Sequence, residues 1–394
     1  MLKLGVDELT LVLQVSKMVK QYFADNNYEF VWHGVAEDII DDFARLSNLQ
    51  QIFGRRIFES RPPQGYTTAY TYGEHSFYLA IAYHKYMMNM GIIVKFSAQA
   101  LDYYCEQSGI KVYEFIKKIQ SATYTARLSR IDLTADFIDE DIDVTSIYND
   151  LMHKRIGLFR QSANNKTGEI EYKWQPMKYE GYLKETEVPT IYIGSVQSKS
   201  RLRIYDKKRE QIERKGSKYD KALLYRNWVR FEGVFRQEYA HQLTEALMSV
   251  GNDTEFTNLI ACTLVQKYGF RYIDGGAADR ETEYTQLIMN CITNGTAALR
   301  APSSRNNDLL RSIEHILGGS GMMTVLYKIK EIWGIDAVKD FLDFLKNYVD
   351  EYEPNEDCRY WLRKNAQDYL LHFPQYNDFK MNAMIPTLMK GGIL

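Results

Sequence analysis

Residues 190–211 read TIYIGSVQSKSRLRIYDKKREQ: two short runs of alternating residues joined by a polar turn and followed by a basic segment. This pattern predicts a β-hairpin whose second strand is Arg201–Tyr205. Successive side chains of a strand point to opposite faces, so Arg201, Arg203 and Tyr205 share one face. The apolar residues between them can then pack into a core. The segment therefore predicts a sheet with two arginines and a tyrosine on its polar side.

A partner strand is predicted in residues 228–238, which read WVRFEGVFRQE. The same alternation puts Arg230 and Glu232 on one face and turns Val229 and Phe231 to the other. An arginine and a glutamate are thus available to face the polar side of the first strand.

The connector between these two strands is strongly basic. Its cations are Lys207, Lys208, Arg209, Arg214, Lys215, Lys218, Lys221 and Arg226. From Ser200 to Arg236 the sequence has 12 Lys or Arg against 5 Asp or Glu, a net charge of +7 in a chain whose formal net charge is −2. The rest of the chain therefore sums to −9. A local basic cluster is the expected footprint of a phosphate-bearing partner.

A third strand is predicted at Ala126–Phe137, ARLSRIDLTADF, whose polar face includes Arg130, Asp132 and Asp136. The two aspartates lie roughly 13 Å apart in a straight strand, too far to hold one ion together. Asp132 therefore needs a cationic partner of its own. A divalent metal ion is one answer, and a salt bridge to Arg130 or Arg203 is the other. Two other acidic residues are further candidates for the same site: Glu171 and Glu180.

The rest of the chain divides into a mixed part and a helical part. Before about residue 275, strand patterns alternate with amphipathic helices. The further strands predicted there are Gly5–Gln14, the hairpin Tyr66–Tyr72 with Ser76–Tyr83, Gly91–Ser97, and a pair within Gly157–Trp174 around an NNKTG turn. Later in the chain the periodicity is helical, and the apolar stripes in residues 325–333 and 338–349 are typical of core packing. We predict an α+β fold: a mostly antiparallel β-sheet domain flanked by helices over residues 1–275, and a smaller all-helical domain over residues 276–394.

Composition places the chain among ordinary globular proteins, with 394 residues, 45% hydrophobic and 25% charged. Its four cysteines show no CxxC and no metal-ligand spacing, which favours free thiols in a reducing cytosol. Asp7 and Glu8 interrupt the N-terminal apolar run, so we expect no secretory signal. The sequence contains no run of about 18 consecutive apolar residues, so we expect no membrane span. The expected location is cytoplasmic.

Several common chemistries lack their motifs in this sequence. There is no GxSxG, no GxxxxGK[ST], no GxGxxG after a strand, and no HxH or HExxH among the seven histidines. Asp132 and Glu232 could serve as the paired carboxylates of a glycosidase, but the basic cluster is a poor setting for a sugar.

Tyr205 must be judged by its neighbours, because the chain has 30 tyrosines. A phenol with a pKa of about 10 is a poor nucleophile. We expect Arg203 and Lys207 to favour the phenolate, and a carboxylate-held divalent ion to polarise a phosphodiester. This arrangement suits cutting a nucleic-acid strand while keeping the phosphate on the tyrosine, so that the strand can be rejoined. The alternative is that Tyr205 packs its ring beside the sheet and the lysines are solvated.

The blocks RLSRIDLTADF, TIYIGSVQSKSRLRIYDKKREQ and WVRFEGVFRQE, in this order, resemble the replication initiation factor family (Rep_trans). The family comprises initiators of rolling-circle plasmids and related relaxases of integrative conjugative elements. The similar layout spans Leu4–Asp274, and only the three blocks are specific. In that family the tyrosine of the RIY(N/D)KK block nicks one strand of the origin, stays on the 5′ phosphate and frees a 3′-OH for a polymerase.

The resemblance implies roles for single residues. Tyr205 matches the nucleophile, and Arg230 the arginine of the family's W-x-R-x-E strand. Asp132 and Glu232 match its acidic residues and would hold Mg²⁺ or Mn²⁺, with Asp136 joining them only if the strand bends. The His-hydrophobic-His motif of other relaxases is absent, so a metal here would be bound mainly by carboxylate oxygens, which suits hard cations.

The implied partner is origin DNA in single-stranded or hairpin-extruded form, because paired DNA must melt before one strand is cut. The residues expected to contact phosphates, positioning the strand without reading bases, are Lys199, Arg201, Lys207, Lys208 and Arg209. A host helicase is a further implied partner. Family initiators often act as homodimers, whereas the relaxases of this group include monomers.

Three alternatives remain open. The first is a relaxase that nicks a transfer origin. Two features argue against it: the RIYDKK motif is closer to that of plasmid initiators, and the sequence starts at the first strand without the helix-turn-helix module of some relatives. The second is a non-catalytic origin-binding protein, against which the intact tyrosine and both acids argue. The third is a tyrosine recombinase, which needs an Arg-His-Arg set on helices, whereas Tyr205 lies on a predicted strand.

Overall fold

The structure is a computed structural model that describes residues 1–25, 31–75, 77–163, 170–175, 177–293, 309–318, 321–354 and 356–390. The chain divides into two compact units, Met1–Arg300 and Ala301–Leu394. No described helix is both long and apolar enough to cross a membrane.

The first unit is built on a large antiparallel sheet. The described strands of this unit are β1 (Leu2–Val15), β2 (Arg56–Phe58), β3 (Thr68–Tyr72), β4 (Leu79–Tyr83), β5 (Ile92–Phe96), β6 (Tyr124–Ile138), β7 (Ile156–Ala163), β8 (Ile170–Trp174), β9 (Tyr179–Lys184), β10 (Glu187–Ile193), β11 (Ser200–Asp206), β12 (Trp228–Arg236), β13 (Phe270–Asp274) and β14 (Ala277–Glu281). Ten of them form one sheet in the order β2-β3-β4-β5-β1-β6-β12-β11-β10-β9 within the described residues. The three strands predicted to carry the polar residues, β6, β12 and β11, are adjacent near its centre.

Several helices of the first unit pack apolar side chains into the core on one side of this sheet. The described helices of the first unit are α1 (Lys17–Asp25), α2 (Trp32–Leu46), α3 (Leu49–Phe53), α4 (Ala98–Ser108), α5 (Val112–Lys118), α6 (Val144–Met152), α7 (Lys207–Arg214), α8 (Tyr219–Leu224), α9 (Glu238–Ser249), α10 (Asp253–Tyr268) and α11 (Glu283–Met289). Apolar residues of the long central strands, such as Leu11 and Leu128, are fully buried in this core. Alternation leaves the polar residues of the same strands on the other side.

The basic connector between β11 and β12 is two short helices, α7 and α8. Asp206 ends β11 and caps α7, its carboxylate accepting a hydrogen bond from the backbone N–H of Arg209 at 2.8 Å. Aspartate at this position satisfies one of the N–H groups that lack a partner in the first helical turn. The chain therefore passes directly from the strand that carries Tyr205 into a helix that begins at Lys207.

A smaller sheet corrects the predicted domain boundary. In the described residues β14, β13, β7 and β8 pair in that order. The strand pair predicted within Gly157–Trp174 is present, and the NNKTG turn lies outside the described residues. Residues beyond 275 were expected to be helical, yet β14 completes a hairpin with β13, which pairs with β7. The first unit consequently continues to Arg300.

The second unit is helical, as predicted. Its described helices are α12 (Leu309–Gly318), α13 (Met322–Trp333), α14 (Ile335–Glu351), α15 (Glu356–His372), α16 (Tyr376–Phe379) and α17 (Ile385–Lys390), with a π-helical turn at Lys380–Met384. The two apolar stripes are only partly packed: Leu326 and Leu345 are half-buried, whereas Trp333 and Val349 are exposed. The α+β fold class predicted for the whole chain is confirmed.

Candidate active site on the central strands

The register of the central strands brings the predicted polar residues onto one face. Tyr205 on β11 pairs with Arg230 on β12, and Arg230 pairs in turn with Asp136 on β6. One row along, Arg203 pairs with Glu232. Directly opposed residues of antiparallel strands project to the same side of the sheet. The alternation inferred from the sequence is thus confirmed for these residues.

The hydroxyl of Tyr205 has an acceptor on one side and a cation on the other. It donates to Glu232 Oε2 at 3.1 Å and accepts from Lys207 Nζ at 3.3 Å. The guanidinium of Arg203 lies 3.8 Å from the centroid of the tyrosine ring. The side chain is 2% exposed. The phenol is therefore held by three charged groups.

Tyr205 is nevertheless a neutral phenol in this arrangement. Burial raises its pKa well above the ordinary value of 10, and the nearby carboxylate of Glu232 raises it further, while Arg230 acts in the opposite sense. The expectation that neighbouring cations favour the phenolate is therefore wrong for this geometry. Asp7 and Glu210 add to the negative charge near the hydroxyl. A proton acceptor is needed before Tyr205 can act as a nucleophile.

Lys207 reaches Tyr205 because the strand turns at once into α7. Its side chain folds back over the hydroxyl and forms an ion pair with Glu210, one helical turn later, at 2.6 Å. Both side chains are largely buried, so the ion pair neutralises charge that water does not reach, and Glu210 also lies 3.8 Å from Arg203 and 3.6 Å from Arg214. Burial acts to raise the pKa of Glu210, but Lys207 and Arg203 keep it below its ordinary value.

Asp132 forms a salt bridge with Arg130, which is one of the two kinds of partner predicted for it. Arg130 binds its carboxylate with two hydrogen bonds, of 2.9 and 2.5 Å, and also binds Glu8 at 2.9 Å. Asp132 is 1% exposed. Burial raises its pKa to about 7 against the opposing effect of Arg130, and the carboxylates of Glu232 and Glu8 add to the rise.

Asp136 belongs to a separate ion cluster. Arg230 binds it with two hydrogen bonds, of 2.6 and 2.7 Å, and Trp228 Nε1 donates to it at 2.9 Å. Arg230, which is 3% exposed, also binds Asp7. The structure therefore does not bring Asp136 together with Asp132.

A β-bulge supplies two acidic residues that the sequence reasoning did not include. On β1, Val6 pairs with Leu133 and Leu9 pairs with Ile131, so Asp7 and Glu8 together oppose the single residue Asp132. In a regular strand, adjacent side chains point to opposite faces, whereas a bulge can turn both toward one side. Asp7 reaches Arg230 and Glu8 reaches Arg130. Two consecutive acidic residues within a predicted strand were the feature of the sequence that could have pointed to this contribution.

Tyr205 and the charged groups around it, apart from Arg230 and Asp136, line a cavity of about 420 Å³. Among the described residues, its acidic lining consists of Asp7, Glu8, Asp102, Asp132, Glu210 and Glu232. Its basic lining consists of Arg130, Arg203, Lys207, Arg214, Lys215 and Lys218. The surplus of positive charge seen in the connector is thus offset inside the cavity by carboxylates from distant parts of the chain.

The residues predicted to contact DNA lie in different settings. Lys207 lines the cavity, and Arg201 stacks on the ring of Tyr192. The others have protein partners: Lys199 pairs with Glu238, Lys208 donates to the backbone carbonyl of Tyr225, and Arg209 pairs with Glu187 and Glu213. Of the two further acidic candidates, Glu180 is exposed on β9, and Glu171 belongs to β8 of the smaller sheet.

The cavity contains carboxylates that could ligate a divalent cation, but they are not grouped around one point. In the part of the chain that the structure describes, no three His, Cys, Asp or Glu residues are grouped to hold a metal ion. Arg130 instead neutralises Asp132 and Glu8, and it also interacts with the charge of Glu232. Carboxylate oxygens are the ligands preferred by Mg²⁺ and Mn²⁺. The residues fit such an ion if it replaces the guanidinium of Arg130.

Known proteins give the following comparisons. The rolling circle replication initiator protein from Geobacillus stearothermophilus is 14% identical to this chain, with a TM-score of 0.47 over 74% of this chain and 97% of that one. No curated protein matches the sequence. The family model described as replication initiation factor matches residues 126–366. This match spans more than half of the chain and includes β6, β11 and β12, the strands that carry Asp132, Tyr205 and Glu232. The chain belongs to the replication initiation factor family.

Proposed function

We propose that the protein is a rolling-circle replication initiator that cuts one strand of its origin through Tyr205. The products are a phosphotyrosine link to the 5′ end and a free 3′-OH, and the link is later reversed to rejoin the strand. The observation that carries the proposal is the contact of the Tyr205 hydroxyl with both Glu232 and Lys207 at a polar cavity. We assign this activity to the first compact unit.

Glu232 is the proton acceptor in this mechanism. Burial raises its pKa, with a further contribution from Asp7, so its carboxylate is a stronger base than an exposed one. As Tyr205 Oη attacks phosphorus, its proton passes to Glu232 Oε2, the new O–P bond forms and the bond to the 3′ oxygen breaks. The 3′ oxygen leaves with a proton from water. In the rejoining step a 3′-OH gives its proton to water as its oxygen attacks phosphorus, the O–P bond to Tyr205 breaks, and Glu232 returns its proton to the departing tyrosine.

The cations around the phenol stabilise the charge that develops on reaction. Lys207 remains next to the tyrosine oxygen when its proton has gone. Arg203 stacks on the same ring, and its guanidinium lines the cavity, where a phosphodiester would bind. Arg230 is buried between Asp136 and Asp7, so we assign it the positioning of β12, with no contact to the DNA.

We further propose that the reaction depends on Mg²⁺ or Mn²⁺ held by Asp132 and by Oε1 of Glu232, because Oε2 of Glu232 is the oxygen that accepts the tyrosine proton. The ion would neutralise phosphate charge and stabilise the leaving oxygen. To accommodate it, Arg130 must release Asp132, which leaves Glu8 available as a third carboxylate. Asp136 would join the set only if its pairing with Arg230 opened.

The DNA partner in this proposal is single-stranded or hairpin-extruded origin sequence, since the cavity must receive one unpaired strand. A host helicase and a second copy of the chain are further proposed partners. A relaxase acting on a transfer origin would use the same chemistry, and only the DNA that is cut separates the two functions.

The test is adduct formation on a denaturing gel. The protein is incubated with Mn²⁺ and a labelled single-stranded oligonucleotide that carries the origin of its genetic element, or the transfer origin. We expect a slowly migrating protein–DNA adduct that is absent from Tyr205→Phe and retained in Tyr86→Phe, a change at a tyrosine that is 88% exposed.

Adduct from Tyr205→Phe at the wild-type level would assign the nucleophile to another tyrosine. Cutting of the transfer origin alone would identify a relaxase. Binding of the origin with no adduct would identify a non-catalytic origin-binding protein.

A further inference from the structure

The polar face of the large sheet continues past Tyr205 onto its last two strands. Thr190 on β10 pairs with Tyr205 and also, on its other side, with Tyr182 on β9. One row along, Tyr192 on β10 pairs with Arg203. Directly paired residues share a face, so Tyr182 and Tyr192 lie on the same side of the sheet as the candidate nucleophile. Strand spacing places β9 roughly 10 Å from β11.

The opposite face of these strands belongs to the core. Ile191 and Ile193 are buried there. Gly181 packs against the ring of Tyr148 so closely that a Cβ atom would collide with it. The orientation of β9 and β10 is therefore fixed by packing, and their two tyrosines are held on the outer side.

The two outer tyrosines form an open aromatic surface. Their ring centroids are 5.6 Å apart with an interplanar angle of 77°, and the guanidinium of Arg201 lies 4.0 Å from the centroid of Tyr192. Tyr182 is 58% exposed, so its ring contributes little to the core. We call Tyr182, Tyr192 and Arg201 the aromatic surface.

Arg201 has unused capacity to bind an anion. Within the described part of the chain it forms no ion pair, and its buried Nε donor has no hydrogen-bond partner. Lys199 and Arg209, which were also expected to contact DNA, are paired with glutamates. The Nε of Arg203 likewise lacks a hydrogen-bond partner among the described residues. The guanidinium of Arg201, which forms no ion pair among the described residues and lies on the partly exposed ring of Tyr192, is suited to a phosphate backbone that carries unpaired bases.

We infer that the aromatic surface binds the unpaired nucleotides next to the phosphate that Tyr205 attacks, with bases stacked on Tyr182 and Tyr192 and a backbone phosphate on Arg201. The inference rests on the proposed nicking function and extends it by naming the residues that position the strand. Base–aromatic stacking tolerates any sequence, because every base has a π-face. The surface therefore sets the path and register of the strand, and reading of the origin sequence is left to other contacts.

Binding is measured in a Tyr205→Phe background, in which no covalent link through this residue can form. The probe is a labelled single-stranded oligonucleotide spanning the origin nick site, followed by fluorescence anisotropy. We expect Tyr182→Leu and Tyr192→Leu each to weaken binding roughly tenfold. Tyr182→Phe and Tyr192→Phe should bind like the background protein, because stacking needs the ring and not the hydroxyl. Leu183→Ala is the matched control, since Leu183 is 72% exposed and alternation turns it to the other face.

A second readout locates the contact on the DNA. With 2-aminopurine replacing single bases near the nick, its fluorescence should be quenched at the nucleotides adjoining the scissile phosphate, and the quenching should be lost in Tyr182→Leu or Tyr192→Leu. Unchanged affinity and unchanged quenching in both leucine variants would overturn the inference, even if the wild-type protein forms the adduct. Ring-dependent binding without any adduct from the wild-type protein would leave the aromatic surface in place and reject the nicking proposal.

Discussion

The carboxylate of Glu232 accepts a hydrogen bond from the hydroxyl of Tyr205 across two neighbouring strands, although the two residues are not paired in the register. Arg203 faces Glu232 and Arg230 faces Tyr205, so the contact is diagonal and each partner has an arginine opposite it. The diagonal contact gives the buried phenol a carboxylate acceptor, while Tyr205 and Glu232 each remain beside an arginine.

Glu232→Gln should remove the proton acceptor of Tyr205 while it preserves the local structure. The amide preserves the size of the side chain but cannot accept the tyrosine proton, so we expect the rate of adduct formation to fall roughly 100-fold or more. Binding of the single-stranded oligonucleotide should be nearly unchanged. The control is Glu245→Gln, on an exposed side chain of α9. A wild-type rate in Glu232→Gln would remove Glu232 from the role of base.

Lys207→Met should lower both stability and nicking, because the buried carboxylate of Glu210 loses its closest cation and keeps only the longer contacts with Arg203 and Arg214. The expected loss is about 2 kcal/mol in the free energy of unfolding, the size of one hydrogen bond to a charged group, measured with urea. Adding Glu210→Gln should restore most of this stability and none of the nicking. Recovery of nicking in the double variant would show that Lys207 acts only through Glu210.

Removing the metal ion tests the proposal that Arg130 occupies the metal site when no ion is bound. EDTA should abolish the adduct. Arg130→Gln should lower the thermal midpoint in EDTA, because Asp132 and Glu8 lose their counter-ion, and Mn²⁺ should raise the midpoint more in this variant than in the wild type. The control is Arg127→Gln, on the exposed side of the same strand. An equal effect of Mn²⁺ on Arg130→Gln and the wild type would contradict a metal site at these carboxylates.

Asp136→Asn distinguishes a metal ligand from an ion-pair partner. The structure pairs Asp136 with Arg230 and Trp228, so the variant should be less stable by about 2 kcal/mol, because the buried guanidinium of Arg230 loses charge-assisted hydrogen bonds while it retains Asp7. The Mn²⁺ concentration that gives half-maximal adduct should not change. An increase in that concentration without loss of stability would make Asp136 a metal ligand.

The polar face of β11 and β12 could be predicted from the sequence because strand alternation is a local property. Whether Tyr205 is ionised could not, because its pKa depends on burial and on Asp7, which lies in a strand far away in the sequence. The same limit applies to the connector, where Lys218 pairs with Asp102 on α4. Which acid meets which base is decided by the order of strands in the sheet, and the local pattern does not contain that order.

The domain boundary shows a second limit of local reasoning. Residues 277–281 carry too little apolar alternation to mark a strand, and β14 exists because β13 offers it an edge. Asp7 and Glu8 illustrate the same point, since a bulge is a property of two strands in register and cannot be read from one of them.

The position of that bulge has a consequence for how the protein can be divided. Strand β1 lies in the middle of the large sheet, between β5 and β6, while the family match begins at residue 126, in β6. A fragment cut to the matched region would lose three carboxylates of the cavity, Asp7, Glu8 and Asp102, and would expose β6 along its β1 side as an open edge, a template for aggregation. The segment that the family model matches therefore lacks a central strand of its own sheet, and the cavity beside Tyr205 is complete only with residues from β1 and α4.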